Sequence, residues 1–196
     1  VLKSALRLGT LWFALALSAC VTTPKVPEGF YSKEARASLY DIQEWNLEGR
    51  IAISAPKDSW SANIEWQHLP NSETIRLSGP LGQGAVVIKL ADGLVKIDRG
   101  GGNVQTSNQP EEFINQQLGM FVPVQSMRFW AVGLPEPELD FQGTADGFVQ
   151  DGWLIAYKEM QKTGNVTMPH KMAVSNPQVK LKLMIDQWDL NGGKLN

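Results

Sequence analysis

Period two governs most of this chain. Trp60, Ala62, Ile64 and Trp66 alternate with Ser61, Asn63, Glu65 and Gln67. The same rhythm runs through Leu47, Ile51 and Ile53, through Ile75 and Leu77, and through Val179, Leu181, Leu183 and Ile185. Successive side chains of a strand point to opposite faces, so this alternation demands half-buried antiparallel strands with one wet face. Polar loops at 56–58 and 70–72 separate the runs. The stretch 85–91 is nearly all apolar and predicts a strand covered on both faces, while 94–98 and 103–106 predict a hairpin around 99–102. Further strands are expected over 147–149, 153–160, 166–172 and 179–190.

Three segments break the rhythm with helical spacing. Over 31–44, Ala35, Leu39 and Ile42 recur at intervals of four and three. The segment 110–118 carries Phe113, Ile114 and Leu118 on one side, with Asn108 as a cap and Gly119 as a stop. A short helix over 124–132 should end at Gly133, Leu134 and Pro135. The expected fold is mainly β (α+β): roughly ten to eleven antiparallel strands in a curved sheet, an open or closed barrel, with about three helices against one side.

The first twenty residues obey a different rule. Lys3 and Arg7 precede an apolar run that ends at Leu17, Ser18, Ala19 and Cys20, the only cysteine. A basic start, a short apolar run and a small-residue cleavage site predict a signal peptide over 1–19. The run is shorter than the about 20 apolar residues of a membrane span. Its ending resembles a bacterial lipobox, in which Cys20 is acylated and becomes the new N-terminus. Residues 20–30, with Pro24 and Pro27, read as lipid anchor and tether, and 31–196 as one domain. Without 1–19 the chain keeps 16 of 18 basic and all 20 acidic side chains. A formal charge of −4 with no basic cluster argues against nucleic acid. With Cys20 acylated, no thiol remains for a disulfide or a thiolate metal site.

Catalytic chemistry is sparse. His68 and His170 fit no ligand spacing and read as surface or strand-end histidines. No Gly-x-Ser-x-Gly elbow occurs, and the glycines of 79–84 lead into a strand, so phosphate cradling is not expected. Asp41, Glu44, Glu48, Glu136, Glu138 and Asp140 are the carboxylates that could pair for sugar hydrolysis, although solvated acids are far commoner. The expectation is a protein that is not an enzyme and uses no cofactor or metal. In Gly-Pro-Leu-Gly-Gln-Gly at 79–84, Leu81 stands at a turn tip between Pro80 and Gly82, where polar residues are usual. Leu81 either folds back onto the sheet or offers an apolar probe to a partner or bilayer.

Several short motifs occur in order along the mature chain. They are the lipobox cysteine, Trp-Asn-Leu-Glu-Gly-Arg at 45–50, Gly-Pro-Leu-Gly at 79–82, and Arg128, Phe129 and Trp130 running to Gly133, Leu134 and Pro135. Trp153 with Tyr157, and Leu181, Lys182 and Leu183 followed by Trp188, complete the set. With them the chain resembles the LolB family, outer-membrane lipoprotein receptors of Gram-negative bacteria. The resemblance implies an unclosed antiparallel barrel lidded by helices over an apolar cavity. It also implies a non-catalytic role: accepting acylated lipoproteins from the periplasmic carrier LolA and placing them in the inner leaflet of the outer membrane. Leu81, with Pro80 and Gly82, matches the family's membrane-insertion loop. Val21 stands where aspartate retains enteric lipoproteins at the inner membrane, which favours export to the outer membrane. The implied partners are LolA, acylated lipoproteins and outer-membrane lipid, for a monomer facing the periplasm. Seven tryptophans and six methionines supply adaptable apolar surface for a cavity that holds acyl chains. Two other classes stay open on the residues alone: an envelope lipoprotein that binds another apolar ligand or serves as an assembly scaffold, and an envelope hydrolase.

Overall fold

The computed structural model describes residues 31–56, 58–79 and 84–191. The expectations for 1–30 and 80–83, and with them Cys20, Pro80, Leu81 and Gly82, lie outside the described residues. Among the described residues eleven antiparallel strands form one sheet. The first meander comprises β1 (Trp45–Ser54), β2 (Ser59–Leu69), β3 (Ser72–Ser78), β4 (Val86–Ala91), β5 (Leu94–Asp98) and β6 (Val104–Ser107). The second comprises β7 (Phe141–Gly143), β8 (Gly147–Gln150), β9 (Trp153–Thr163), β10 (Val166–Ser175) and β11 (Lys180–Asp189). Pairing of β1 with β11 joins the two, leaving β6 and β7 as edges, so the barrel is unclosed. A 3₁₀ helix, Glu34–Asp41, precedes β1, while α1 (Pro110–Leu118) and α2 (Val124–Val132) fill the connection from β6 to β7. No helix of the described residues is long and apolar enough to cross a membrane.

The alternation translates directly into burial. Leu47, Ile51 and Ile53 of β1, Ile64 and Trp66 of β2, and Leu181, Leu183 and Ile185 of β11 all face the core. Trp188 also faces inward, although it lies three positions beyond Ile185 and so has the opposite parity. A bulge explains this: the register steps from Glu48 opposite Gln187 to Gly49 opposite Ile185, leaving Asp186 extra. A Cβ at Gly49 would lie 2.0 Å from the Met184 carbonyl oxygen, so the motif at 45–50 carries glycine there for close strand approach. The carbonyls beside the bulges gather side-chain donors. His170 Nδ1–H (2.7 Å) and Gln161 Nε2 (2.8 Å) donate to Ile185, and Trp188 Nε1 (2.8 Å) donates to Pro169.

Four expectations are corrected. The 85–91 strand is one-sided: Ile88 and Leu90 are buried, Lys89 and Ala91 exposed, because it turns one face to the core and the other outward as a half-buried antiparallel strand does. The first helix is 3₁₀, whose three residues per turn spread Ala35, Leu39 and Ile42 off one stripe. Leu39 is buried, while Ala35 is exposed. The α1 cap is Gln109, not Asn108, and makes no side-chain cap bond. Pro110 follows it, preset for the first helical position and lacking an N–H to satisfy. His170 sits within β10, not at its end or free on the surface. The α1 and α2 stops are as expected: Gly119 and Gly133 take φ of 69° and 97°.

Candidate functional site: an apolar cavity beneath α1

The inward positions of β2–β5 line a half-open cavity of ≈260 Å³. Trp60 and Ala62 of β2, Leu77 of β3, Ile88 of β4 and Ile97 of β5 form its floor, and Ile114 and Leu118 of α1 its roof. A deeper chamber of ≈50 Å³ shares Trp60, Leu77, Ile88, Ile114 and Leu118 and is completed by Ile64, Val122, Val124 and Met127 among others. Its walls are apolar throughout, so nothing in it can hold a charge or an unsatisfied polar group. Small residues make up part of its lining, namely Ser61, Ala62, Ser78, Gly79 and Gly84, and leave room beside the larger ones. The roof is also lightly built. Ile114 is the one buried residue of α1, whereas α2 buries six.

The other half of the sheet is solid. Trp45 packs against Trp66 at 5.2 Å and Trp188 at 5.5 Å between ring centroids, and Trp130 packs against Trp153 at 6.3 Å. Gln150, 1 % exposed, accepts from Trp130 Nε1 and the Glu136 N–H, both at 2.8 Å, and donates to the Glu136 and Leu139 carbonyls. Tyr157 donates to the Trp130 carbonyl at 2.8 Å. Burial pushes the Tyr157 and Tyr31 phenols well above their ordinary range, with the nearby Arg36 cation partly opposing the shift. This corrects the expectation for the aromatic residues. Trp60 and Trp66 reach the cavity and its chamber, but Trp45, Trp130, Trp153 and Trp188 build the solid half, and Met127 is the methionine at the cavity wall. Isoleucine and leucine do most of the lining.

The carboxylates considered for hydrolysis are scattered. Asp41, Glu44, Glu48, Glu138 and Asp140 are exposed, and Glu136 accepts from Ser126 Oγ at 2.6 Å. None of the six lines the cavity. The acid that is buried was not among them. Glu73 accepts from Trp66 Nε1 at 2.8 Å and from His68 Nδ1 at 2.6 Å, with Arg128 at 3.9 Å. Its signal was available, since Glu73 shares the inward parity of Ile75 and Leu77. Gly79 and Gly84, the described ends of the turn that carries Leu81, both line the cavity.

A depression of ≈400 Å³ on the outer face runs among the side chains of Arg50, Lys158, Lys171 and Lys182. Three of these are paired with Asp186, Asp146 and Glu159 respectively, so an acyl chain laid there would cross a rim of four cations. The inward cavity is therefore the site that suits an apolar ligand.

Residues 43–188 match the family model described as outer membrane lipoprotein LolB. The chain is 33% identical over 188 residues to the outer-membrane lipoprotein LolB of Marinomonas sp., covering 92% of this chain and 95% of that protein. The proteins of the same name from Chromohalobacter salexigens and Nitrosococcus oceani are 29% and 32% identical. The first alignment covers 95% of this chain and 94% of its relative, and the second 81% and 82%.

Proposed function

This chain belongs to the LolB family of outer-membrane lipoproteins and is localised to that membrane, and we propose that it accepts acylated lipoproteins from the periplasmic carrier LolA and inserts them into the membrane's inner leaflet. The observation that carries this reading is the apolar cavity under α1. Its larger part exceeds the about 150 Å³ of an enclosed apolar cavity that admits benzene, so there is room for a segment of an acyl chain. Each methylene moved from water into it contributes about 0.8 kcal/mol. A handover therefore needs only a few more buried methylenes in the receptor than in the carrier, and no chemical energy source. In this reading Cys20 carries the diacylglyceryl and N-acyl groups, since a single chain anchors only marginally. Residues 21–30 act as the tether, and the body faces the periplasm as a monomer. Leu81, between Pro80 and Gly82 in sequence, is the probe that enters the bilayer in this reading, and the residues that flank its loop, Gly79 and Gly84, line the cavity.

The test is a transfer assay without ATP. LolA loaded with a fluorescently acylated lipoprotein is mixed with this protein in proteoliposomes, and cargo is followed onto the receptor and then into the bilayer. Cargo that stays on the carrier refutes the proposal. Mass spectrometry of the mature N-terminus checks the anchor, and an unmodified Cys20 refutes that part of it.

A further inference from the structure

The cavity has a polar end that its apolar walls do not account for. Arg99 is the one charged side chain among the described residues lining it, and its Nη2 donates to Gln117 Oε1 at 2.9 Å. Both residues stand at the cavity edge with Ser61, Ser78 and Gly79. The Arg99 backbone is fixed: its N–H donates to the Asn103 carbonyl at 3.0 Å, closing the β5–β6 hairpin. The nearest acid in sequence, Asp98, is committed to the Gly100 amide at 2.8 Å. Among the described residues no carboxylate forms an ion pair with Arg99. A guanidinium has five N–H donors and no acceptor, so most of its donors remain available beside an apolar slot.

We propose that Arg99, oriented by Gln117, is a head-group clamp that selects amphiphiles with an acyl tail and a head of acceptor oxygens. The tail enters beneath α1 and the guanidinium binds ester, amide or carboxylate oxygens at the edge. Resting on the function proposed above, the head is the cluster of ester and amide carbonyls on an acylated cysteine, and the clamp fixes how far the tails descend. A hydrocarbon gains nothing from Arg99, and a cationic amphiphile is repelled by it. A free fatty acid offers the same chemistry from a different source.

Native mass spectrometry of the full-length protein released from detergent reads the proposal. The protein is titrated with a synthetic diacylglyceryl-cysteine peptide, a fatty acid and an uncharged alkylbenzene. Arg99→Met weakens the peptide and the fatty acid about tenfold or more, the usual effect of losing a hydrogen bond to a charged group, and leaves alkylbenzene binding unchanged. Arg99→Lys keeps the charge but loses the fork, and recovers part of the affinity. Gln117→Glu draws the guanidinium into an ion pair and weakens the peptide in the same direction. Equal losses for all three ligands, or no loss for any, overturn the clamp. Peptide binding indifferent to Arg99 overturns the clamp alone and leaves the cargo reading standing. Arg99-dependent binding of the fatty acid with no binding of the peptide supports the clamp and removes lipoprotein as its ligand.

Discussion

Ala62→Leu separates a cavity held open for a ligand from a loosely packed core. Ala62 lines the cavity from β2, opposite Ile51 of β1, and is half-buried. Leucine adds three carbons, and at about 0.8 kcal/mol each their burial contributes about 2.4 kcal/mol. Fixing the longer side chain costs about 0.5–1 kcal/mol in rotamer entropy, which leaves about 1.5 kcal/mol of net stabilisation. For a domain of this size that raises Tm by about 3–6 °C. The same carbons occupy space that an acyl tail would fill, so affinity should fall about tenfold. The assay pairs thermal melts of ligand-free protein with melts at a saturating fatty acid. At 100 times Kd the ligand stabilises the parent protein by about 2.7 kcal/mol, and the tenfold weaker variant should keep only about 1.4 kcal/mol, roughly half of that increment. A variant that melts lower than its parent refutes the claim that Ala62 faces empty space. A higher Tm with an undiminished ligand shift refutes the claim that this space is the binding site.

Three further outcomes are expected. Gly49→Ala forces a Cβ to within 2.0 Å of the Met184 carbonyl at the β1–β11 junction, and should cost upwards of about 3 kcal/mol in urea denaturation, a backbone-strain effect far larger than a surface substitution. Alkaline pH should destabilise the fold: the buried Tyr31 and Tyr157 phenols hold their protons in the folded state above their ordinary range, so the stability they contribute is intact below about pH 10 and is lost as pH rises beyond it. Denaturation midpoints measured from pH 8 upward should fall less steeply for Tyr157→Phe, and an unchanged slope counts against the assignment. Leu81→Glu should leave receipt of cargo from LolA and Tm unchanged while insertion into liposomes drops sharply, whereas a lowered Tm with both steps impaired makes Leu81 a core residue.

What was legible in the sequence is what a fixed period encodes. Alternation at 60–66 and 179–185 identified strands and their inward faces because a half-buried strand has no other way to place apolar residues. The glycine stops of α1 and α2 were legible for a similar local reason, since each requires a positive φ. Three-residue β7 was missed because Phe141–Gly143 is too short to display any period. The one-sidedness of β4 depends on what lies across from it. Val87 pairs with Arg76 and Asp98, and that pairing is tertiary information. The cavity was legible only as an implication of the family resemblance. Ile88, which borders empty space, and Ile185, which borders other side chains, obey the same rule of alternation. Arg99 carried no signal at all, because an arginine in a glycine-rich hairpin resembles any solvated turn cation until α1 brings Gln117 beside it.

The division of the sheet into a hollow half and a solid half has an energetic logic. At about 24 cal/mol per Å³, an unfilled volume of ≈260 Å³ costs up to about 6 kcal/mol, a large share of the 5–15 kcal/mol that keeps a domain folded. The half-open geometry lowers that figure without abolishing it. Such a deficit is tolerable only if the rest of the molecule is densely packed. The packing of Trp45 on Trp188 and of Trp130 on Trp153, the Gln150 network and the buried Trp130, Ala131 and Val132 of α2 supply that density away from the cavity. Because α1 buries Ile114 alone, the roof can shift over an incoming chain without disturbing the solid half. An acyl tail that fills the space then recovers the packing the empty protein lacks. Under the proposed function the unfilled volume would itself be the driving force for receipt, and its size would limit how tightly cargo is held before release into the bilayer.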